Sequence, residues 1–386
     1  MRRHTTDHRV WRARPLAGAM TAAVAAVALS ATAALAGPHP ARTPAVGAQT
    51  CVTINAQSQT SAQQAAAAQY WTPKRLRESI PFTPAALARA LARLTPAQRR
   101  ADDQAAQGVI QETSCVAASS LAQSASAVPL VPSADTADTA QGDYLTTGYR
   151  TIGKFFYDVD GLPFNCTATA INDAKGNAAR ALVLTAAHCF AGVYDDVAYT
   201  SDDWAFAPGW HNNKDPYGLW QVKSRYWPGP YRTSVCTTPR PGDRQCRYVF
   251  SGAYDYAAFI VKPINGRGVG AVTGDDGWRA AMPKTEKVTI FGVPGTSPGM
   301  LEHTTDSHTV TTDGYLDRKA ETPGFTDGAS GGPWFYSYNA KTQIGDILGD
   351  TGGYETGGNN PSGSPSFSPF WTAYFGGFIA GVAKHE

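Results

Sequence analysis

Thr185-Ala186-Ala187-His188-Cys189 and, later in the chain, Gly328-Ala329-Ser330-Gly331-Gly332-Pro333 are the two stretches that decide how this sequence is interpreted. The first supplies an imidazole, and the second supplies a hydroxyl flanked by glycines. Nucleophilic catalysis by serine needs a base for the hydroxyl proton, a buried carboxylate that orients the base, and backbone N–H groups for the oxyanion. The two stretches therefore predict His188 as a general base and Ser330 as a nucleophile.

The apolar run 181–184 lies directly before the histidine motif and predicts a buried strand that ends close to His188. Cys189 follows, and Cys166 is its expected disulfide partner. Closing a loop of that length is worth about 3 kcal/mol in the chain-entropy account. A lone histidine beside a cysteine is usually an ordinary core or surface residue. The serine motif is what makes a catalytic role the better interpretation.

A third group is expected from Asp255, which lies in Tyr254-Asp255-Tyr256 and leads straight into the apolar run 257–261. An acid in that position is expected to be buried, and a buried carboxylate needs a partner such as an imidazole N–H. The other carboxylates of this region have polar, turn-like neighbours and are expected to be solvated. They are Asp195, Asp196, Asp202, Asp203, Asp215 and Asp243.

The glycines around Ser330 favour a tight turn that aims the N–H groups of Gly328 and Ser330 at one point. That point is the expected oxyanion hole, where losing one donor typically costs on the order of 3 kcal/mol in the barrier. A Gly/Ser surface turn is the simpler interpretation of such a motif taken alone. It does not explain why 333–335 leads into an apolar strand.

Short apolar or alternating runs between Gly, Pro and Asp indicate an all-β plan after Tyr144. The runs are 151–159, 166–171, 181–185, 256–261, 288–293 and 343–348. The last apolar stretch, 370–382, fits a helix or a strand, with a helix favoured despite Gly376 and Gly377. No metal-ligand spacing is present, and Asp202-Asp203 and Asp275-Asp276 are expected to form solvated turns rather than a calcium site.

Composition describes a globular protein of 386 residues, with 42% hydrophobic and 17% charged residues and a net charge of +2. This charge is too small to indicate nucleic acid or an anionic membrane as a partner. Arginines before the Ala/Val/Leu run 16–35, which ends in Ala34-Leu35-Ala36, predict a secretory signal peptide over 1–36. We therefore expect a secreted, extracellular protein with no membrane contact after cleavage. The alternative for this run is a membrane anchor.

Residues 37–141 are rich in Ala, Gln, Ser and Thr and are interpreted as a mostly helical or disordered propeptide and linker. Thr83-Pro84 predicts a helix start, and Thr95-Pro96 predicts a second one that runs towards Gln111. Cys51 and Cys115 could close this region. The alternative is a poorly ordered spacer. The catalytic domain is then 142–386.

From about Tyr149 to Ala383 the chain resembles the chymotrypsin-fold (trypsin-like) secreted serine proteases, and within them the bacterial glutamyl-endopeptidase-like branch. The matching stretches are 152–156, 165–169, 185–189, 291–295 and 328–333. The resemblance implies two β-barrels with a possible C-terminal helix, and a His188, Asp255 and Ser330 triad in the cleft between the barrels. It also implies polypeptide substrates bound as an added strand and no cofactor. We expect a monomer.

The chain departs from that family at several positions. Ala329 stands where relatives usually have an aspartate that pairs with a new N-terminus. Phe325 replaces the small hydroxyl residue of glutamate-specific members, and 347–353 lacks their histidine, so acidic P1 residues are not supported. Asp350 on that strand could favour a basic P1 residue. Cys236 and Cys246 are expected to close a loop of an insertion between His188 and Asp255.

Two other classes compete with this prediction. Gly328-x-Ser330-x-Gly332 also fits the nucleophile elbow of α/β-hydrolases, which would indicate an esterase. Those enzymes place their acid and histidine after the serine, and the only later histidine of this chain is His385. A non-catalytic, protease-fold binding protein usually lacks a triad member, whereas all three residue types are present here.

Overall fold

The computed structural model describes residues 49–98, 109–117, 123–124, 150–173, 179–191, 193–194, 197–198, 202–240, 243–295, 299–312, 314–322, 324–353 and 365–386. All of them belong to one compact unit, 47–386. The predicted signal peptide and most of the predicted linker lie outside the described residues. None of the helices in the described ranges is long and apolar enough to cross a membrane.

Strands dominate the described part of the chain. They are β1 (Gln49–Ser58), β2 (Ile80–Pro81), β3 (Ile110–Ala117), β4 (Gln123–Ser124), β5 (Ile152–Val159), β6 (Leu162–Ala170), β7 (Leu182–Thr185), β8 (Val193–Tyr194), β9 (Val197–Ala198), β10 (Asp202–Pro208), β11 (Trp220–Pro228), β12 (Arg232–Arg240), β13 (Asp243–Phe250), β14 (Ala257–Val261), β15 (Gly277–Arg279), β16 (Thr285–Gly292), β17 (Leu301–Thr312), β18 (Tyr315–Glu321), β19 (Pro333–Asn339), β20 (Ile344–Asp350) and β21 (Pro365–Pro369). The helices are α1 (Ser61–Tyr70), α2 (Pro73–Glu78), α3 (Pro84–Leu91), α4 (His188–Ala191), α5 (Val269–Thr273) and α6 (Ala373–Val382). The six strands expected from the apolar runs are all present.

The first sheet closes into a barrel. Its order is β10-β5-β6-β7-β14-β11, and β10 also pairs with β11, which closes the 6-strand ring. Aromatic rings fill this core, since Phe155 stacks on Phe259 at 4.8 Å between centroids and also contacts Phe190 at 5.8 Å. All three side chains are at most 1% exposed. Such a packed interior fixes the strands that carry the site.

The second sheet has eight strands in the order β21-β18-β17-β16-β19-β20-β15-β4. Its apolar face includes Ile290, Phe325, Trp334 and Leu348, all buried. Phe325, which lies in the loop before Ser330 and not in a strand, thus packs into the core of this sheet. Together with the barrel and a short C-terminal helix, this sheet confirms the all-β fold expected from the sequence, although the described pairings close only the first of the two expected barrels.

The N-terminal region contributes strands that its composition did not suggest. β1 pairs antiparallel with both β11 and β3, so these strands extend the barrel sheet. Cys51 and Cys115 face each other in this ladder and form a disulfide. The predicted helix after Thr83 is α3, and the Thr83 side chain accepts a hydrogen bond from the Ala86 amide as its N-cap. The second predicted helix begins at 96–98, and residues 99–108 lie outside the described ones. It does not extend to Gln111, because Gln111 belongs to β3.

The C-terminal stretch is a helix, α6, as the sequence favoured. Its glycines allow the close approach of β1, since a Cβ on Gly377 would lie 2.7 Å from Val52 Cγ1. A Cβ on Gly381 would lie 2.3 Å from Ile54 Cδ1. The glycines that interrupt the apolar pattern therefore have a packing reason.

Two loop expectations have different outcomes. Asp275 and Asp276 are not solvated, because they are 1% and 0% exposed. Arg180 forms an ion pair with Asp275 at 2.6 Å, and Thr169 donates to Asp276 at 2.7 Å. In the hairpin β12–β13, Cys236 and Cys246 occupy directly opposite backbone positions. Their side chains lie outside the described ones.

Candidate active site

His188 and Asp255 form the most closely bonded pair of the predicted site. β7 ends at Thr185 and delivers His188 to the first position of α4, while the 3-10 turn Gly252–Tyr254 delivers Asp255. Nδ1 of His188 lies 2.7 Å from Oδ2 of Asp255. If Nδ1 carries the ring proton in this hydrogen bond, Nε2 is the acceptor nitrogen of the ring.

Backbone amides hold the Asp255 carboxylate in place. The amide of His188 donates to Oδ1 at 2.8 Å, and the amide of Gly353 donates to Oδ2 at 2.9 Å. The residue is 1% exposed. A buried carboxylate with this many donors has a fixed orientation, so it can in turn fix the imidazole.

The Ser330 loop is tied to the strands that carry His188. The amide of Thr167 donates to the carbonyl of Ser330 at 2.8 Å, and the Thr185 hydroxyl donates to the carbonyl of Thr167 at 2.8 Å. Gly331 fits tightly here, since a Cβ would lie 2.2 Å from Thr185 Oγ1 and 2.8 Å from the amide of Ala186. The serine is therefore anchored next to the turn that leads into His188.

Gly328 adopts a conformation that only glycine takes readily, with φ of +97°. Its carbonyl accepts a hydrogen bond from the Thr167 hydroxyl at 2.8 Å, and that hydroxyl accepts from the Val293 amide at 2.9 Å. Neither the amide of Gly328 nor that of Ser330 donates to any residue that the structure describes. Two fixed, unused N–H groups beside a serine are what an oxyanion hole requires.

Cys166 and Cys189 form a disulfide that joins β6 to α4. Their sulfur atoms lie within 4.8 Å of a ring nitrogen of His188. Because the sulfurs are bonded to each other, they are not available as thiolates for a metal. The disulfide instead tethers the histidine-bearing turn to β6.

Asp350 lies behind the site rather than in an open pocket. It is 0% exposed, and Oδ1 accepts from the indole N–H of Trp371 at 3.2 Å. Burial raises the pKa of Asp350 well above its ordinary value, and the negative charge of Asp255 raises it further. A carboxyl that is fully enclosed, and whose charged form is disfavoured, gives no support to the idea that Asp350 favours a basic P1 residue.

Sequence reasoning missed two residues that organise this site. Thr167 uses its amide, carbonyl and hydroxyl to join three loops, and Gly353 supplies an amide to Asp255. Thr167 lies inside the stretch 165–169 that carries the family resemblance, but nothing in the sequence indicated its hydrogen bonds. For Gly353, the double glycine 352–353 was the only local signal in the sequence.

Comparisons with known proteins give structural similarity without sequence-level matches. No protein-family profile and no curated protein matches the chain. Among solved structures, the thermostable serine protease AL20 from an extremophilic microorganism has a TM-score of 0.46 and 19% identity, covering 62% of this chain and 99% of that chain. The protease Anisep from Arthrobacter nicotinovorans has a TM-score of 0.47 and 20% identity, covering 62% and 97%.

Human heparin binding protein has a TM-score of 0.34 and 12% identity, covering 62% of this chain and 93% of that chain. These similarities do not distinguish the glutamyl-endopeptidase-like branch from other branches. The described chain combines a closed barrel, a second sheet and a C-terminal helix, in agreement with the all-β fold that the resemblance in the sequence implied.

Proposed function

We propose that this protein is a secreted serine endopeptidase, made as a proprotein, in which Ser330 attacks the peptide carbonyl. The observation that carries the proposal is the His188–Asp255 pair, bonded at 2.7 Å with the carboxylate buried. A surface histidine would not need a buried carboxylate held by two amides. The Ser330 loop is anchored beside this pair through Gly331 and Thr185.

In the proposed mechanism, Nε2 of His188 takes the Ser330 proton as the hydroxyl oxygen bonds to the substrate carbonyl carbon. The carbonyl oxygen becomes an oxyanion that accepts from the amides of Gly328 and Ser330. His188 then gives the proton to the leaving amine, and the peptide bond breaks to leave an acyl-enzyme. Water, deprotonated by His188, releases the acyl group and restores the serine.

The test is to map the peptides that purified protein releases from a reduced, denatured polypeptide over several hours. Wild type should cut, Ser330→Ala should not, and Ser337→Ala should cut like wild type because that serine is exposed on β19. Cuts that persist in Ser330→Ala would overturn the proposal. Ester hydrolysis with no peptide cuts would favour the esterase alternative.

A further inference from the structure

The segment 79–83, which connects α2 to α3, lies in the cleft beside His188. Within it, β2 pairs in parallel with β6, with Ile80 opposite Phe164 and Pro81 opposite Asn165. We propose that this segment is an inhibitor built into the chain, which must leave before a polypeptide can reach Ser330. This inference rests on the proposed peptidase function and concerns the regulation of the same site.

Hydrogen bonds fix the segment along the edge of β6. The Phe82 amide donates to the Asn165 carbonyl at 3.2 Å, and the Asn165 side-chain amide donates to Ser79 Oγ at 2.9 Å. Pro81 has no N–H, so the pairing depends on its neighbours. Because a peptide that joins a sheet edge uses the same backbone groups, a substrate cannot bind this edge while the segment is there.

Side chains of the segment contact both halves of the predicted catalytic apparatus. The Phe82 ring lies 5.4 Å from the His188 ring, between centroids, and 6.3 Å from the Phe164 ring. On the other side, Pro81 touches the 293–295 loop so closely that a Cβ on Gly295 would lie 2.4 Å from its Cγ. The amide of Gly295 donates to the carbonyl of Asp327, the residue before Gly328.

The exposure of the site agrees with a closed state. Ser330 is 2% exposed, and the His188 side chain is 13% exposed. A nucleophile so enclosed cannot meet an extended polypeptide without a displacement. Phe82 lies beside the predicted base, and Pro81 lies beside the serine loop. The 79–83 segment is therefore the element that must be displaced.

Residues that precede the segment in sequence anchor it to the barrel. Trp71, between α1 and α2, is buried, packs on Phe156 at 5.3 Å and donates its indole N–H to the Asp203 carbonyl. Tyr70 donates its hydroxyl to Asp158. These contacts precede the segment in sequence, so a displaced segment would stay tethered to the barrel through them.

The experiment measures how fast a fluorophosphonate reagent labels Ser330 in the full chain. Phe82→Ala should label about tenfold faster than wild type, which corresponds to a closed state weakened by about 1.4 kcal/mol. Ser79→Ala, which removes only the hydroxyl that Asn165 contacts, should shift the rate in the same direction by less. Ser79→Ala also keeps the proposal testable if Phe82→Ala fails to fold.

Two controls separate this inference from the proposed function. Phe250→Ala, at a ring 46% exposed on β13, should match wild type, and Ser330→Ala should not be labelled. Equal, Ser330-dependent rates in wild type, Phe82→Ala and Ser79→Ala would overturn the inhibitory role and leave the peptidase proposal standing. No Ser330-dependent labelling in any chain would overturn the peptidase proposal and this inference with it.

Discussion

Asp276 joins the two sheets and is expected to make stability depend on pH. Its carboxyl is fully buried, accepts from Thr169 in β6 at 2.7 Å and accepts from the Gly345 amide in β20 at 3.0 Å. Burial raises its pKa from 3.8 to about 7, against the opposing effect of these donors, and the neighbouring Asp275 adds to the increase. The folded state therefore binds a proton that the unfolded state has released between these two values.

The sign follows from this raised pKa. Wild-type stability is unaffected by Asp276 below pH 3.8, falls as the pH rises towards 7, and carries the full penalty above it. At about 1.4 kcal/mol for each pKa unit, the penalty reaches about 4 kcal/mol. Asp276→Asn removes the titration, so its free energy of unfolding relative to wild type should rise by that order between pH 4 and 8.

Urea unfolding of wild type and Asp276→Asn at pH 4, 6 and 8 measures this difference. Asp306→Asn, at an exposed carboxylate on β17, is the matched control and should show no such trend. The reasoning is refuted if the gap between wild type and Asp276→Asn stays constant over this pH range. A constant gap would mean that the buried carboxyl is ionised in the folded state over the whole range.

Three further changes test other parts of the structure. Asp255→Asn should lower kcat on a peptide substrate by about four orders of magnitude, because an amide cannot accept from His188 Nδ1 and the backbone donors together; a loss below tenfold contradicts this orienting role. Gly331→Ala should lower the stability more than Gly314→Ala does in thermal unfolding. Both glycines have a positive φ, +79° and +85°, but only a Cβ on Gly331 would meet other atoms. Equal losses would mean that the close packing at Gly331 is unimportant. Burial lowers the pKa of Lys154 to about 8, so Lys154→Met should stabilise the fold at pH 6, and the gain should shrink as the pH rises from 8 towards 10.5. A gain that grows above pH 8 would contradict a lowered pKa for this buried amine.

His188, Asp255 and Ser330 could be singled out in the sequence because each one is marked by its own neighbours. An apolar strand precedes His188, another follows Asp255, and glycines surround Ser330. The buried state of Asp275 and Asp276 was not predictable in this way. Their partners Arg180, Thr169 and Gly345 lie 95, 107 and 69 residues away, so the local turn composition suggested solvent.

β1 shows a different limit of sequence reasoning. Val52, Ile54 and Ala56 alternate and are buried, which is a strand pattern that can be read from the sequence. The surrounding Ala, Gln and Ser residues hid this strand pattern, because the average composition of a region does not indicate which strands pair. What decides the strand is the partner β11, more than 160 residues later in the chain, whose positions pair with 54–58.

The contacts of β1 and β3 indicate that opening the cleft and losing the N-terminal region are separate events. Helix α6 packs on β1 through Gly377 and Gly381, and Lys384 donates to Ser114 on β3 at 2.9 Å. Removing β1 and β3 would therefore uncover apolar surface on both the barrel and the helix. The Cys51–Cys115 disulfide encloses the 79–83 segment within its loop. A cut inside that loop would free the segment from one side while both strands stay bonded to each other and paired with the barrel.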